Sequence, residues 1–196
     1  MTPGNLPPRL PRPTPEQLQA APRRRLPDHI RPGLRILFCG INPGLYSAAL
    51  GFHFARPGNR FWPALHLAGL TPRLLRPDEA RLLLKDGLGL TDIVPRPTAK
   101  AGELTTQELI QGMRALERKV RRVRPRWVAF LGITAYRRAT GLARAEVGPQ
   151  PGGIGPARVW VLPNPSGLNA HHQLEDLARA LRALATVAGS VGGYPR

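Results

Sequence analysis

Three short apolar runs constrain the fold more than any other feature: LRILFCGI over residues 34–41, RWVAFLG over 126–132 and RVWVLP over 158–163. Each breaks off at Gly or Pro and gives way to a polar loop. Runs of this kind, apolar almost throughout, read as strands buried on both faces. A shorter candidate strand covers residues 88–94. The intervening segments have helical spacing: 59–70 carries Phe61, Leu65 and Ala68 on one side, and 77–85 opens with Pro and two acids. The clearest helix covers 105–123. It starts at a capping box, Thr105 and Glu108, and buries Leu109, Met113, Leu116 and Val120. A short helix over 133–140 is closed by Gly141, and a last one over 173–187 turns Leu174, Leu177, Leu181 and Leu184 inward before Gly189. Strands alternating with helices predict an α/β fold: a single domain with a mostly parallel sheet sandwiched between helices. Sites in such sheets lie beyond the carboxyl ends of the strands. Three polar loops leave those ends, over 42–59, 91–103 and 164–172, and they are expected to converge.

The domain is expected to run from residue 33 to 189, with a short tail over 190–196. Residues 1–32 differ in composition. They hold nine Pro and six Arg with few large apolar side chains, which predicts a flexible basic arm. No internal repeat is present.

Over the 196 residues, 29 Lys and Arg stand against 12 Asp and Glu, a net charge of +17. That imbalance points to a polyanionic partner, nucleic acid before an anionic membrane surface. Only three of the cations are Lys, but a GC-rich genome explains that bias as well as phosphate recognition does, so net charge carries the argument. The one cysteine, Cys39, excludes a disulfide framework, a Cys-rich zinc site and a Cys-ligated iron–sulfur cluster. No apolar run reaches the length of a membrane span, and the N-terminus lacks a signal-peptide core. The expectation is a cytoplasmic monomer with no membrane partner, no metal and no cofactor.

Two loops carry candidate chemistry. Gly40-Ile41-Asn42-Pro43-Gly44 is a strand-end turn whose glycines allow close approach of a ligand to the main chain. Asn42 there presents an amide that both donates and accepts, and so can hold a water. Read alone, such a turn is structural. Asn164-Pro165-Ser166-Gly167-Leu168-Asn169 puts a large apolar residue, Leu168, at the tip of a polar loop. That suits a wedge entering a base stack, or a leucine folded back on the last helix.

Taken together, FCGINPGL, GNRFW, RPT and LPNPSGL, in that order over residues 33–185, closely resemble the mismatch-specific uracil/thymine DNA glycosylases of the uracil-DNA glycosylase superfamily. The resemblance implies a DNA glycosylase with a uracil-DNA glycosylase-like fold, acting on double-stranded DNA that contains mismatched uracil. It implies that Asn42 positions the attacking water and that Phe54 stacks on the extruded base. It implies substrate contacts at Ile41, Gly44, Asn164 and Ser166. Leu168 would be the intercalating tip, with Gly167 and Asn169 reading the widowed guanine.

The chain departs from that pattern at Asp92, where the best-known bacterial members carry lysine. A carboxylate there can polarise the water or balance oxocarbenium charge, or it can be a turn- or helix-capping residue or the partner of a nearby Arg. His53 precedes Phe54 and is a candidate pocket residue. His171 and His172 follow the intercalating loop, at an inexact match to histidines of other branches, and phosphate contact or a helix start suits them better. His66 and Cys39 read as structural. The basic run over 118–126 reads as a solvated helix end, whereas Arg56 and Arg60 are the better candidates for DNA contact. No lysine falls in a matching motif, so no lyase step is expected. The expectation is therefore a monofunctional glycosylase that removes uracil mainly from G:U pairs, with Asn42 and Asp92 catalytic. Two alternatives remain: a non-catalytic basic DNA-binding module, and a glycosylase for deaminated purines.

Overall fold

The computed structural model describes residues 10–167 and 173–189. Leu168, Asn169, His171 and His172 of the sequence expectations lie outside the described residues, as does the tail over 190–196.

The apolar runs form parallel strands β1 (Ile36–Gly40), β2 (Leu88–Asp92), β3 (Trp127–Leu131) and β5 (Ala157–Leu162). A fifth strand, β4 (Gly148–Ile154), pairs antiparallel with β5 at the edge, and the sheet order is β2-β1-β3-β5-β4. Every residue of β1 and β3 is buried, as continuous apolar runs require of central strands. Alternate residues of β1 serve opposite layers. Ile36 and Phe38 join a core with Phe61, Trp62, Leu65 and Leu181. Leu37 and Cys39 join another with Leu109, Leu116, Phe130 and Val161.

Helices α3 (Phe61–Leu67) and α6 (Leu174–Ala188) cover the first face; α4 (Thr106–Val123) and α5 (Ile133–Thr140) cover the second. The capping box of α4 is formed in both directions: Glu108 N–H donates to Thr105 Oγ1 at 3.1 Å and Thr105 N–H to Glu108 Oε2 at 2.8 Å. Gly141 closes α5 with φ +75°, which a residue with a Cβ adopts only at a cost. Residues 77–86 form a 3-10 helix rather than an α-helix. Among the described residues no helix is long and apolar enough to cross a membrane.

The expected free arm needs correction for residues 10–32. Thr14 caps helix α1 (Pro15–Ala20) with a full capping box, and Ala21 is completely buried against Ala48 and Ala49. The latter two belong to α2 (Leu45–Leu50), which follows β1. Arg24 Nη1 donates to the Ala49 carbonyl at 2.6 Å. His29 exchanges both backbone hydrogen bonds with Leu90 of β2, each 2.9 Å, and Lys119 Nζ meets Asp28 Oδ2 at 2.6 Å. Low apolar content did not prevent docking, because backbone and charge pairs to the domain supply the anchoring.

Candidate active site

A cleft of about 630 Å³ opens where β1, β2, β3 and β5 end. The three polar loops expected to converge do so there. A fourth segment, 132–135 between β3 and α5, also lines it. Ile41, Asn42, Gly44, Phe54, Asp92, Asn164 and Ser166 all contribute to its wall.

Asn42 leaves β1 immediately beyond Gly40 and is held by the loop after β2. Its Nδ2 donates to the Arg96 carbonyl at 2.9 Å and to Thr98 Oγ1 at 2.7 Å. A carbonyl only accepts, so the amide orientation is forced. The NH2 group is committed to protein, and among the described residues no donor reaches Oδ1. Thr98 is itself fixed: its hydroxyl donates to the Lys100 carbonyl at 2.9 Å and its N–H to the Pro43 carbonyl at 3.1 Å. The RPT segment is thus a strap across the Asn42 turn. The sequence shows the segment but no role for Thr98; a buried hydroxyl beside an asparagine 56 residues away leaves no mark in spacing.

Phe54 has φ +55°, an uncommon conformation for a residue with a bulky side chain, of the kind that tends to mark functional sites. Flanking bonds hold it there. Trp62 Nε1 donates to the His53 carbonyl at 3.2 Å, and the Ala55 N–H donates to Ser47 Oγ at 3.1 Å. The Phe54 ring lies on Phe61, centroids 4.2 Å apart at 32°, and Phe61 in turn meets Phe38 edge-on in the core. An aromatic plate is thereby presented to the cleft on a rigid support.

Asp92 ends β2 opposite Gly40 in the ladder. A Cβ at Gly40 would overlap Asp92 Oδ1 and come within 3.5 Å of Phe54 Cζ, so carboxylate, ring and turn meet at one point. The Asp92 side chain is only 8% exposed, and Oδ2 lies 3.4 Å from His53 Nδ1. Burial pushes the Asp92 carboxyl above its ordinary range; His53 is the largest influence drawing it back, Asp28 adds to the rise and Lys119 opposes it. A buried carboxyl raised by desolvation and set in a cleft makes Asp92 a candidate functional group. The pairing with His53 was not foreseen, since 39 residues of chain separate the two.

Asn164 Oδ1 accepts from the Ser166 N–H at 2.9 Å, tightening the start of the loop after β5. Gly167 packs against Gly58 at the rim. Arg56 lines the cleft and is exposed. Arg60 instead turns inward and donates to the Ser166 carbonyl at 2.5 Å. His66 lies away from the cleft on α3, and Cys39 is buried in β1 with its thiol raised mainly by desolvation. Among the described residues no cluster of three or more His, Cys, Asp or Glu could hold a metal ion.

The fold is similar to the solution structure of a "putative Uracil DNA glycosylase" from Methanosarcina acetivorans, with a TM-score of 0.53 and 20% sequence identity, covering 82% of this chain and 97% of that one. At that identity the likeness speaks for the fold. The sequence match is broader in meaning: residues 27–185, nearly all of the sheet and its helices, fit the profile of one family. Strands, cleft and matching segment coincide, and the chain belongs to the uracil DNA glycosylase superfamily.

Proposed function

We propose that this chain hydrolyses the bond between uracil N1 and the sugar in duplex DNA, chiefly at G:U mismatches, with Asn42 and Asp92 as catalytic residues. The family membership itself supplies the coarser part, a DNA glycosylase hydrolase of the uracil-excising kind. The observation that carries the finer reading is the forced orientation of Asn42, whose Oδ1 is left as an acceptor in the cleft that also holds Phe54 and Asp92.

The chemistry follows from those groups. Bond cleavage passes through an oxocarbenium-like state. The electron pair of the breaking C1′–N1 bond leaves on uracil, whose anion is stabilised by fixed donors in the pocket. A water held by Asn42 Oδ1 attacks C1′, and its proton passes to the Asp92 carboxylate, which also balances the positive sugar. Phe54 stacks on the extruded base. Leu168 fills the space left in the helix, with Gly167 and Asn169 beside the widowed guanine. Extrusion costs a few kcal/mol and less at a mismatch, which favours G:U over A:U before any bond breaks. The net charge of +17 steers the protein to DNA and makes binding salt-dependent.

The test is base release from duplexes with a single G:U or A:U pair, using wild type, Asn42→Ala and Asp92→Asn, with a hypoxanthine duplex in parallel. Release from G:U that Asn42→Ala largely abolishes is expected. Equal release from A:U would remove the mismatch preference. Release from hypoxanthine alone would move the reading to deaminated purines, and binding without any release would leave a DNA-binding module.

A further inference from the structure

His53 has its two ring nitrogens engaged on opposite sides. Nε2 lies 3.0 Å from the Pro27 carbonyl, and Nδ1 lies 3.4 Å from Asp92 Oδ2. A backbone carbonyl cannot donate, so Nε2 must carry a hydrogen. In the neutral ring that leaves Nδ1 as a bare lone pair, pointed at a carboxylate oxygen. His53 and Asp92 side chains are 3% and 8% exposed, so no bulk water relieves two acceptors face to face. One proton does relieve them. On Nδ1 it makes an imidazolium–carboxylate pair; on Oδ2 it makes a neutral acid donating to a neutral imidazole. Either arrangement is neutral overall, which burial favours.

We propose that His53 is a positioning residue for Asp92, its tautomer fixed by the Pro27 carbonyl so that the pair holds one shared proton and Asp92 is freed as a base when that proton sits on His53. The inference rests on the reading of Asp92 as a catalytic group. It also gives the N-terminal segment a role. Residues 27–29, outside the strands that build the cleft, supply the carbonyl that decides which His53 nitrogen faces Asp92. They are anchored for this on both sides, by the His29–Leu90 backbone pair and by the Asp28–Lys119 ion pair, with Thr91 Oγ1 donating to Asp28 Oδ1 at 2.6 Å.

The other charged and titratable groups around the pair do not replace this function. Asp28 and Lys119 act on Asp92 in opposite senses and are paired with each other. The His29 ring stands 5.8 Å from that of His53, and burial and its neighbours hold it toward the neutral form. Cys39 is buried and held as the thiol. Arg56 and Lys100 line the exposed side of the cleft. Among the described residues, His53 is the one titratable side chain in contact with the Asp92 carboxylate.

Two substitutions separate the roles of the two nitrogens. In His53→Gln the amide nitrogen takes the place of Nε2, keeping the bond to Pro27 but leaving Asp92 without a partner. In His53→Asn the amide nitrogen takes the place of Nδ1 and donates to Asp92 without charge. The readout is single-turnover base release from a G:U duplex between pH 5.5 and 9, as rough limits, with thermal unfolding of each variant alongside. Each pH unit on an acid limb is worth about tenfold in ionised carboxylate. The expected result is that His53→Gln moves the acid limb to higher pH, losing about tenfold near pH 6 and recovering toward pH 9. His53→Asn retains more activity near pH 6 than His53→Gln. In an Asp92→Asn background neither substitution moves the residual profile. A uniform loss at all pH values in both variants, or an unshifted profile in His53→Gln, overturns the proposal. Wild-type rates in Asp92→Asn would instead overturn the reading of Asp92 itself. Should both His53 variants unfold, the ring nitrogen shifts of His53 in the wild-type protein decide. A bare Nε2 with hydrogen on Nδ1 would sink the proposal, and hydrogen on Nε2 throughout the titration would support it.

Discussion

A Cβ on Gly167 would stand 2.6 Å from the carbonyl oxygen of Gly58, closer than side-chain carbons come to anything. The loop after β5 is seated on the GNR turn at this point. Arg60 N–H donates to the Pro165 carbonyl at 2.9 Å, and the Arg60 guanidinium donates to the Ser166 carbonyl. Two distant motifs of the sequence thereby form one unit, and the seat of residues 165–167 depends on the absence of a side chain at 167. Gly167→Ala must push that loop off its seat. Base release from a G:U duplex is expected to fall about ten- to a hundredfold, since displacements near 1 Å have effects of that size. The thermal midpoint should barely change, because the seat is at the rim. Unchanged release with unchanged DNA affinity would show that the loop tolerates displacement.

Thr98 offers a finer probe of Asn42. Its hydroxyl accepts from Asn42 Nδ2 and donates to the Lys100 carbonyl. Valine has nearly the same shape but can do neither. Thr98→Val should free the Asn42 amide to rotate and lower single-turnover release by about tenfold, the equivalent of about 1.4 kcal/mol in the barrier. Thr98→Ser keeps both bonds and should remain near wild type. Equal activity in the two variants would mean that the Arg96 and Pro43 carbonyls suffice to fix the amide.

Gly112 tests the packing beneath Asp92, with a sign opposite to the usual one. Replacing a mid-helix glycine by alanine normally stabilises by about 1 kcal/mol. Here a Cβ would press on the Ile93 carbonyl and stand 2.8 Å from Ile93 Cγ2, where α4 crosses the end of β2. Overpacking of that kind costs about 1–3 kcal/mol. Gly112→Ala is therefore expected to lower the thermal midpoint, at roughly 2–4 °C per kcal/mol for a domain this size. A raised midpoint would show that helix and strand separate freely.

The sheet was legible because its central strands are apolar on both faces: β1 and β3 are continuous apolar runs, β5 is one beyond its exposed Arg158, and each ends where the run meets Gly or Pro. Helix α4 was legible from Thr105 and Glu108, and α5 from Gly141. Strand β4 was not. Its sequence, GPQPGGI, contains the residues that weaken strands, and only an edge pairing with β5 tolerates its prolines. Helix α1 was missed for a related reason, since its order comes from Thr14 and from docking on α2 rather than from an apolar stripe. Local motifs placed Asn42, Phe54 and Asp92 at one cleft, because each follows directly on a strand end or on the loop from one. The contacts that orient them did not show. Thr98 reaches Asn42 and His53 reaches Asp92 across 56 and 39 residues of chain, by geometry that only the closed sheet creates.

Asp92 should trade stability against its proposed function. Burial raises its carboxyl above the range of an unfolded chain, so the folded protein binds a proton there that the unfolded chain has released. Stability attached to this group is complete below the ordinary carboxylate range and is lost as pH rises through the raised value. Above that raised value the folded state bears the cost of a buried carboxylate, which the proton shared with His53 offsets only in part. Asp92→Asn removes that cost, and its amide can donate to the bare Nδ1 of His53. The variant is expected to melt higher than wild type at pH 7, because the amide takes the carboxylate's place beside His53 without a charge to desolvate. The gain should shrink as pH is lowered into the carboxylate range, where wild type is protonated as well. Melting curves of the two proteins at pH 7 and near pH 4 check this directly. A variant less stable than wild type at pH 7, with the difference closing toward acid, would mean that the His53–Asp92 pair is a net source of stability in its ionised form.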